Sequence, residues 1–331
     1  MARIILLSSL LIPIFLQANA ASSTPASAIA AQYSLTASTA IPFPTATMSN
    51  SDTQSFITSN WNLLRNKIEN GASFVDFVAD PFPNAPAPGS QNASGPVLQV
   101  TYPVGSFSAG NQGGTQMVSM FNSSSAQPFE AMLVTYEIAF DQGYQWVKGG
   151  KLPGLRGGPE LDGCSGGNQA NGTNCFSTRL MWRTSGQGEV YAYVPRTDDI
   201  CPNSKRSLTE SDGVICDDKD GISIDRGSFA FSPGQWQRIS LVVRLNNPPN
   251  VANGQITLYN NDQQALTKND VQIRTSDAVY TAGLYISTFF GGGDDSWAPN
   301  STMHTYFRNF QVFAGTAPSN LTRSTARRAS R

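Results

Sequence analysis

Two short alternations have the residue types for chemistry: Ser177-x-Arg179, within the run Phe176 to Arg183, and Tyr191-x-Tyr193, within Glu189 to Val194. Arginine is always charged and binds a carboxylate through two parallel N–H bonds. Tyrosine can give or take a proton when adjacent cations lower its pKa from about 10. Together these residue types suit a site that holds an anion and moves a proton.

Period-two alternation places Phe176, Thr178, Leu180 and Trp182 on one face of the first run and Ser177, Arg179, Met181 and Arg183 on the other. In the second run Val190, Ala192 and Val194 share a face, opposite Glu189, Tyr191 and Tyr193. The apolar faces read as core, and the polar faces turn outward. The short connection Thr184-Ser185-Gly186-Gln187-Gly188 predicts a hairpin. With Ser185 or Gly186 near its centre, Arg179 lies opposite Tyr191 or Tyr193, about 5 Å away.

Upstream, Gln145 to Gly158 reads as a Gly-rich loop that carries Lys148, Lys151 and Arg156 and folds over that patch. With Arg179 and Arg183 these cations cluster against Glu160, Asp162 and Glu189, a local field that favours a polyanion. The whole chain gives no such hint: 22 Lys and Arg stand against 23 Asp and Glu, for a formal net charge of -1, and nothing in that total points to nucleic acid. The loop is not a Walker A phosphate cradle, because no Gly-Lys-Ser/Thr follows at the required spacing.

Other candidates have plainer readings. His304, the sole histidine, reads as structural or surface. The acidic turns Asp217 to Gly221 and Gly291 to Asp295 lack EF-hand spacing and read as solvated loops. Glu137 with Asp294 or Asp295 would supply the two carboxylates of a glycoside hydrolase, a secondary reading because no strand shows glucanase-like alternation. Cys164, Cys175, Cys201 and Cys216 are too widely spaced and too short of histidine for structural zinc. Behind a signal peptide an even count reads as two disulfides. Cys164 with Cys175 and Cys201 with Cys216 is the preferred pairing; the other two connectivities stay open on spacing alone.

These residues need a scaffold. Arg3, the apolar run Ile4 to Leu16 and the small residues ending Ala18-Asn19-Ala20 form a secretory signal peptide over residues 1–20, so a secreted, extracellular protein is expected, without a membrane segment after cleavage. Residues 21–50, rich in Ser, Thr, Ala and Pro, predict a flexible spacer. The spacing of Phe56, Ile57, Trp61, Leu63, Leu64 and Ile68 predicts one helix between Asp52 and Asn70, stopped by Gly71. Strand-like runs follow at Val97 to Tyr102, Phe129 to Phe140, the two runs above, Trp236 to Leu245, Gln255 to Tyr259, Val279 to Phe290 and Tyr306 to Phe313. They predict an all-β domain over residues 51–315, a jelly-roll sandwich of two antiparallel sheets with a short N-terminal helix. Residues 316–331 read as a disordered basic tail, and a monomer is expected. The sequons at Asn92, Asn122, Asn171, Asn300 and Asn320 mark expected glycosylated surface loops.

In chain order, Tyr102-Pro103-Val104-Gly105-Ser106, Gly149-Gly150-Lys151-Leu152-Pro153-Gly154-Leu155, the Ser177-x-Arg179 strand with Tyr191-x-Tyr193, and Phe290-Gly291-Gly292 resemble polysaccharide lyase family 14, the alginate and glucuronan lyase type, especially its fungal members. The resemblance covers about Pro96 to Phe313. It implies a β-jelly roll whose concave sheet binds an acidic polysaccharide, such as glucuronan or alginate, and cleaves it by β-elimination with no cofactor and no dedicated metal. That reaction removes the proton α to a uronate carboxylate, whose charge must be neutralised. The resemblance gives this task to Arg179, and base and acid to Tyr191 and Tyr193. It gives Lys151 charge stabilisation or the base, and Ser177 substrate positioning or a proton relay. Lys148, Arg156 and Arg183 are expected to bind substrate. The alternative is a non-catalytic, lectin-like jelly roll in which Trp182, Trp297 and the tyrosines stack on sugars.

Overall fold

The structure, a computed structural model, describes residues 25–90, 95–110, 112–125, 127–201, 213–217 and 219–322. The signal peptide, the sequon at Asn92 and the end of the basic tail lie outside the described residues. Two antiparallel sheets stack face to face. The back sheet holds, in spatial order, β13 (Gln263–Val271), β12 (Gly254–Asn260), β11 (Gln237–Arg244), β5 (Ala131–Phe140), β15 (Met303–Gly315), β3 (Val97–Tyr102) and β2 (Val75–Val78), with β1 (Ala37–Ala40) alongside β15. The front sheet runs β4 (Thr115–Met120), β14 (Thr281–Phe290), β6 (Gly150–Gly157), β7 (Phe176–Trp182), β8 (Gln187–Tyr193), β10 (Ile222–Ala230) and β9 (Val214–Ile215).

Alternation builds the core between the sheets. Tyr136, Ile138, Leu241 and Phe307 of the back sheet meet Leu155, Phe176, Leu180, Trp182, Val190 and Ile286 of the front sheet in one buried cluster. Each large apolar side chain buried there contributes about 1.5–3 kcal/mol. Trp182 is fully buried and its indole N–H donates to the Trp146 carbonyl at 3.1 Å, so this ring belongs to the core and is closed to sugars.

The expected spacer is folded wherever it is described. A helix, α1 (Ala26–Gln32), and the segment after it pack Ile29, Tyr33 and Leu35 against Leu133 and Val242, while β1 pairs with β15 from Ala37↔Ala314 to Ala40↔Gln311. Backbone pairing asks little of the side chains, so a Ser/Thr/Ala composition did not prevent a strand. The one helix predicted from the sequence is shorter than expected. α2 spans Asn50–Asn60, its first turn capped by the Ser49 hydroxyl, which accepts from Asp52 N–H at 3.3 Å. It ends well before Gly71, because Asn62 adopts a left-handed φ of 47° and Leu63 bridges to Ser119. Among the described residues no helix is long and apolar enough to cross a membrane.

Candidate active site

The segment read as a Gly-rich loop is largely strand β6, in the middle of the front sheet between β14 and β7. Its glycines permit close approach: a Cβ on Gly150 would lie 2.1 Å from the Trp182 ring, and one on Gly154 1.9 Å from the Thr178 carbonyl oxygen. Pro153 is tolerated in a central strand because the register slips there, against β7 between Leu152 and Leu155 and against β14 between Tyr285 and Phe289. The slip also reverses the alternation. Lys151 and Arg156, an odd number of positions apart, therefore share the outer face: Lys151 reaches Tyr191, and Arg156 stacks 4.8 Å from the Tyr285 ring centroid.

Hairpin geometry sets the rest. The turn centres on Ser185, with φ of 59° there and 77° at Gly186, which places Arg179 opposite Tyr191 and Ser177 opposite Tyr193. Register then lays the outer side chains in three rows: Arg156–Ser177–Tyr193, Arg179–Tyr191–Ser223 and Lys151–Met181–Glu189. The last two rows, apart from the enclosed Glu189, and Tyr193 floor a cleft of about 1090 Å³, whose walls include Gln116, Phe289, Trp297 and the loops around Gly166 and Asp220. The polar face is thus sunk beneath loops and is not an open surface.

Arg179 is 1% exposed. Its Nη1 donates to Ser287 Oγ at 3.0 Å, and Ser287 donates to Gln116 Oε1 at 3.2 Å. The guanidinium lies 4.9 Å from the Tyr285 ring centroid and 5.9 Å from that of Tyr193. No carboxylate among the described residues forms an ion pair with it. Lys151 Nζ donates to Met181 Sδ at 3.0 Å. Burial, reinforced by the charges of Arg179 and Arg183, holds its amine well below the usual lysine range.

The tyrosines behave differently from the expectation that cations lower them. Burial pushes both Tyr191 and Tyr193 above the usual phenol range, outweighing the opposing pull of backbone N–H donors and arginines. Those donors are Gly221 N–H, 2.8 Å from Tyr191 Oη, and Gly167 N–H, 3.1 Å from Tyr193 Oη. Both phenols are therefore neutral proton donors in the resting cleft. Beside them Glu189 is fully buried and accepts from Arg183 Nε and Nη2 at 2.9 and 2.5 Å, Ser223 Oγ at 2.6 Å and Arg226 Nε at 2.7 Å. Burial alone would raise its carboxyl, but these partners outweigh burial and hold it below the usual range.

Of the residues singled out in the sequence, Lys151, Arg179, Arg183, Tyr191 and Tyr193 line the cleft. Ser177 does not: it is 0% exposed, and its hydroxyl donates to the Cys164 carbonyl at 2.6 Å. Arg156 is equally enclosed, with Nη2 on the Gly163 carbonyl. Lys148 lies beside Trp297, 5.8 Å from its ring centroid, and donates to Ser296 Oγ at 2.5 Å. Asp217, Asp220 and Gly291 to Gly293, read as solvated turns, line the cleft. Gln116, Tyr285 and Ser287 were not singled out. Alternation along Val279 to Phe290 puts Tyr285, Ser287 and Phe289 on one face, a usable signal, whereas Gln116 sits on a strand the sequence did not reveal.

The remaining candidates fall elsewhere. Glu137 lies on the back sheet, paired with Arg308 at 2.7 Å, and so cannot join Asp294 or Asp295, which follow β14 of the front sheet. It borders a second groove of about 1100 Å³, whose Arg238 and Arg308 are already engaged by Asp262 and Asp80. His304 bonds Asp141 Oδ2 at 2.9 Å. Both disulfides follow the preferred pairing, Cys164–Cys175 and Cys201–Cys216. Asn122, Asn171, Asn300 and Asn320 are all exposed.

Two stacked sheets with a lysine, two tyrosines and an arginine that has no carboxylate partner among the described residues, all on the floor of one cleft, define a jelly-roll enzyme of the polysaccharide-lyase class. Residues 90–310 match the family model for polysaccharide lyase 14, and the chain belongs to that family. The marine PL-14 alginate lyase from Aplysia kurodai is 28% identical and superimposes with a TM-score of 0.66 over 84% of this chain and 100% of its own. Alginate lyase vAL-1 from Chlorella virus is 18% identical, with a TM-score of 0.54 over 82% of this chain and 99% of that one. A variant of alginate lyase Aly36B, solved in complex with an alginate trisaccharide, is 17% identical with a TM-score of 0.57 over 84% and 98%. No curated protein matches the chain.

Proposed function

We propose that this polysaccharide lyase is secreted, glycosylated and monomeric, and that it cleaves a uronate polymer such as alginate or glucuronan in the cleft above β6, β7 and β8. The observation that carries the reading is Arg179, a guanidinium 1% exposed with no carboxylate partner among the described residues. Burying an ion without a partner costs several kcal/mol, roughly, so its retention argues for an anion that arrives with the substrate. The alginate trisaccharide bound by the Aly36B variant supports an acidic sugar chain as that anion.

Arg179 neutralises the uronate carboxylate and so stabilises the enolate-like transition state. Lys151, its amine held low enough to lose its proton, takes the C5 proton; the electron pair forms the C4–C5 double bond and the C4–O bond breaks. Tyr193 gives its proton to the departing oxygen, and the nearby guanidinium of Arg179 steadies the phenolate left behind. Lys151 and Tyr193 lie in the rows on either side of Arg179, which lets base and acid flank a carboxylate held between them. The test is incubation with alginate, glucuronan and a neutral β-glucan while following the ultraviolet absorbance of unsaturated uronate ends. Absorbance rising on an acidic polymer alone is expected. New reducing ends without absorbance, or binding without cleavage, would overturn the reading in favour of a hydrolase or a lectin.

A further inference from the structure

We propose that Ser177 and Arg156 are positioning residues, which clamp the base of the Cys164–Cys175 loop so that the amide at its tip holds Tyr193 in place as proton donor. The inference rests on the reading of Tyr193 as the acid. Its basis is the row Arg156–Ser177–Tyr193, in which all three side chains bond to one loop. Arg156 Nη2 donates to the Gly163 carbonyl, Ser177 Oγ donates to the Cys164 carbonyl at 2.6 Å, and Tyr193 Oη accepts from Gly167 N–H at 3.1 Å. The disulfide closes the same loop onto Cys175, next to the start of β7.

Between base and tip the chain has little freedom. Gly166 and Gly167 both take left-handed φ, 57° and 85°, and Asn168 N–H closes on the Ser165 carbonyl at 3.1 Å, the pattern of a type I′ turn. From the far side, Gln169 Nε2 donates to the Lys219 carbonyl at 2.8 Å, tying the loop to the segment whose Gly221 N–H serves Tyr191 in the same manner. An amide donor on a phenol oxygen fixes the ring's direction, leaves the O–H free to point at a leaving group, and stabilises the phenolate once the proton has gone. Ser177 and Arg156 reach no substrate, yet both set where that donor stands.

Ser177→Ala and Arg156→Gln, made in the full enzyme, should each lower kcat about tenfold while changing KM less than about threefold, the signature of a loss confined to the transition state. Hydrogen exchange within residues 164–175 should speed up in both variants and in Tyr193→Phe, which removes the acceptor. In the Tyr193→Phe background Ser177→Ala should cost no further kcat. A raised KM with unchanged kcat would show Ser177 touching substrate and overturn the proposal, as would full additivity with Tyr193→Phe or unaltered loop exchange. Wild-type kcat in Tyr193→Phe alone would instead remove the proton-donor assignment, an outcome separable because the exchange measurement does not depend on activity.

Discussion

The amine of Lys151 rests 4.1 Å from the centroid of the Tyr191 ring. A cation over an aromatic face is attracted to it, but here burial and two nearby guanidinium groups act the other way and favour the neutral amine. The ring thus serves as a platform that directs a nitrogen able to lose its proton. Lys151→Arg keeps the positive charge and cannot act as base, so kcat should fall by about 10²–10⁴. Tyr191→Phe keeps the platform and should retain activity within a few-fold, whereas Tyr191→Ala should lose most of it. Initial rates from uronate absorbance decide; near-normal turnover in Lys151→Arg would sink the assignment of the base.

The same groups set a pH profile. The base works only when neutral, so kcat/KM should be low below the Lys151 pKa and rise through it, and that limb should fall well below the usual lysine range. The acid works only when protonated, and burial places Tyr193 above the usual phenol range, so the falling limb should lie at higher pH than for a free tyrosine. Rate profiles with Tyr193→Phe as control test this. A rising limb at the ordinary lysine value of about 10.4 would contradict it.

Arg179 should be irreplaceable by lysine. A charge-assisted pair to a carboxylate contributes about 1.5–3 kcal/mol, so Arg179→Ala should reduce kcat/KM by at least ten-fold to a hundred-fold, roughly, and Arg179→Lys should recover little because an ammonium cannot make the planar two-bond contact. Salt titration separates binding from chemistry: the wild type should lose affinity for the polymer with added salt more steeply than Arg179→Ala.

Much of this site was legible from alternation alone, since the pairs Arg179–Tyr191 and Ser177–Tyr193 follow once Ser185 is the hairpin centre. What alternation could not show was the cover: the loop that turns Ser177 and Arg156 away from substrate is the connection between β6 and β7. Strand β6 itself was hidden because Gly150, Pro153 and Gly154 carry loop-like local preferences. The two glycines answer to Trp182 and Thr178 on the neighbouring strand, long-range neighbours that no local window contains. The glycine logic can be checked directly. Gly154→Ala forces a Cβ onto a backbone oxygen and should destabilise the domain by about 1–3 kcal/mol or more in urea unfolding. Gly110→Ala, where a Cβ meets nothing within 4 Å, should be neutral.

Glu189 gives the clearest stability prediction. Its carboxylate is enclosed by Arg183, Arg226 and Ser223, and removing the charge leaves two guanidinium groups facing a neutral amide. Breaking a buried pair costs about 3–5 kcal/mol, and because the arginine side chains keep 15% and 32% exposure the lower end applies. Glu189→Gln should therefore lose about 3 kcal/mol at neutral pH. The sign with pH follows from the depressed carboxyl. The folded pKa lies below the unfolded value of about 4.3, so the stabilisation is complete above that value and disappears as pH falls through the folded one. Unfolding midpoints measured from about pH 6 to about pH 3 should drop more steeply for the wild type than for Glu189→Gln, the two curves converging at the acid end. Parallel curves would mean that the Glu189 carboxyl has the same pKa in the folded and unfolded chain, and Arg183 and Arg226 would then not depress it.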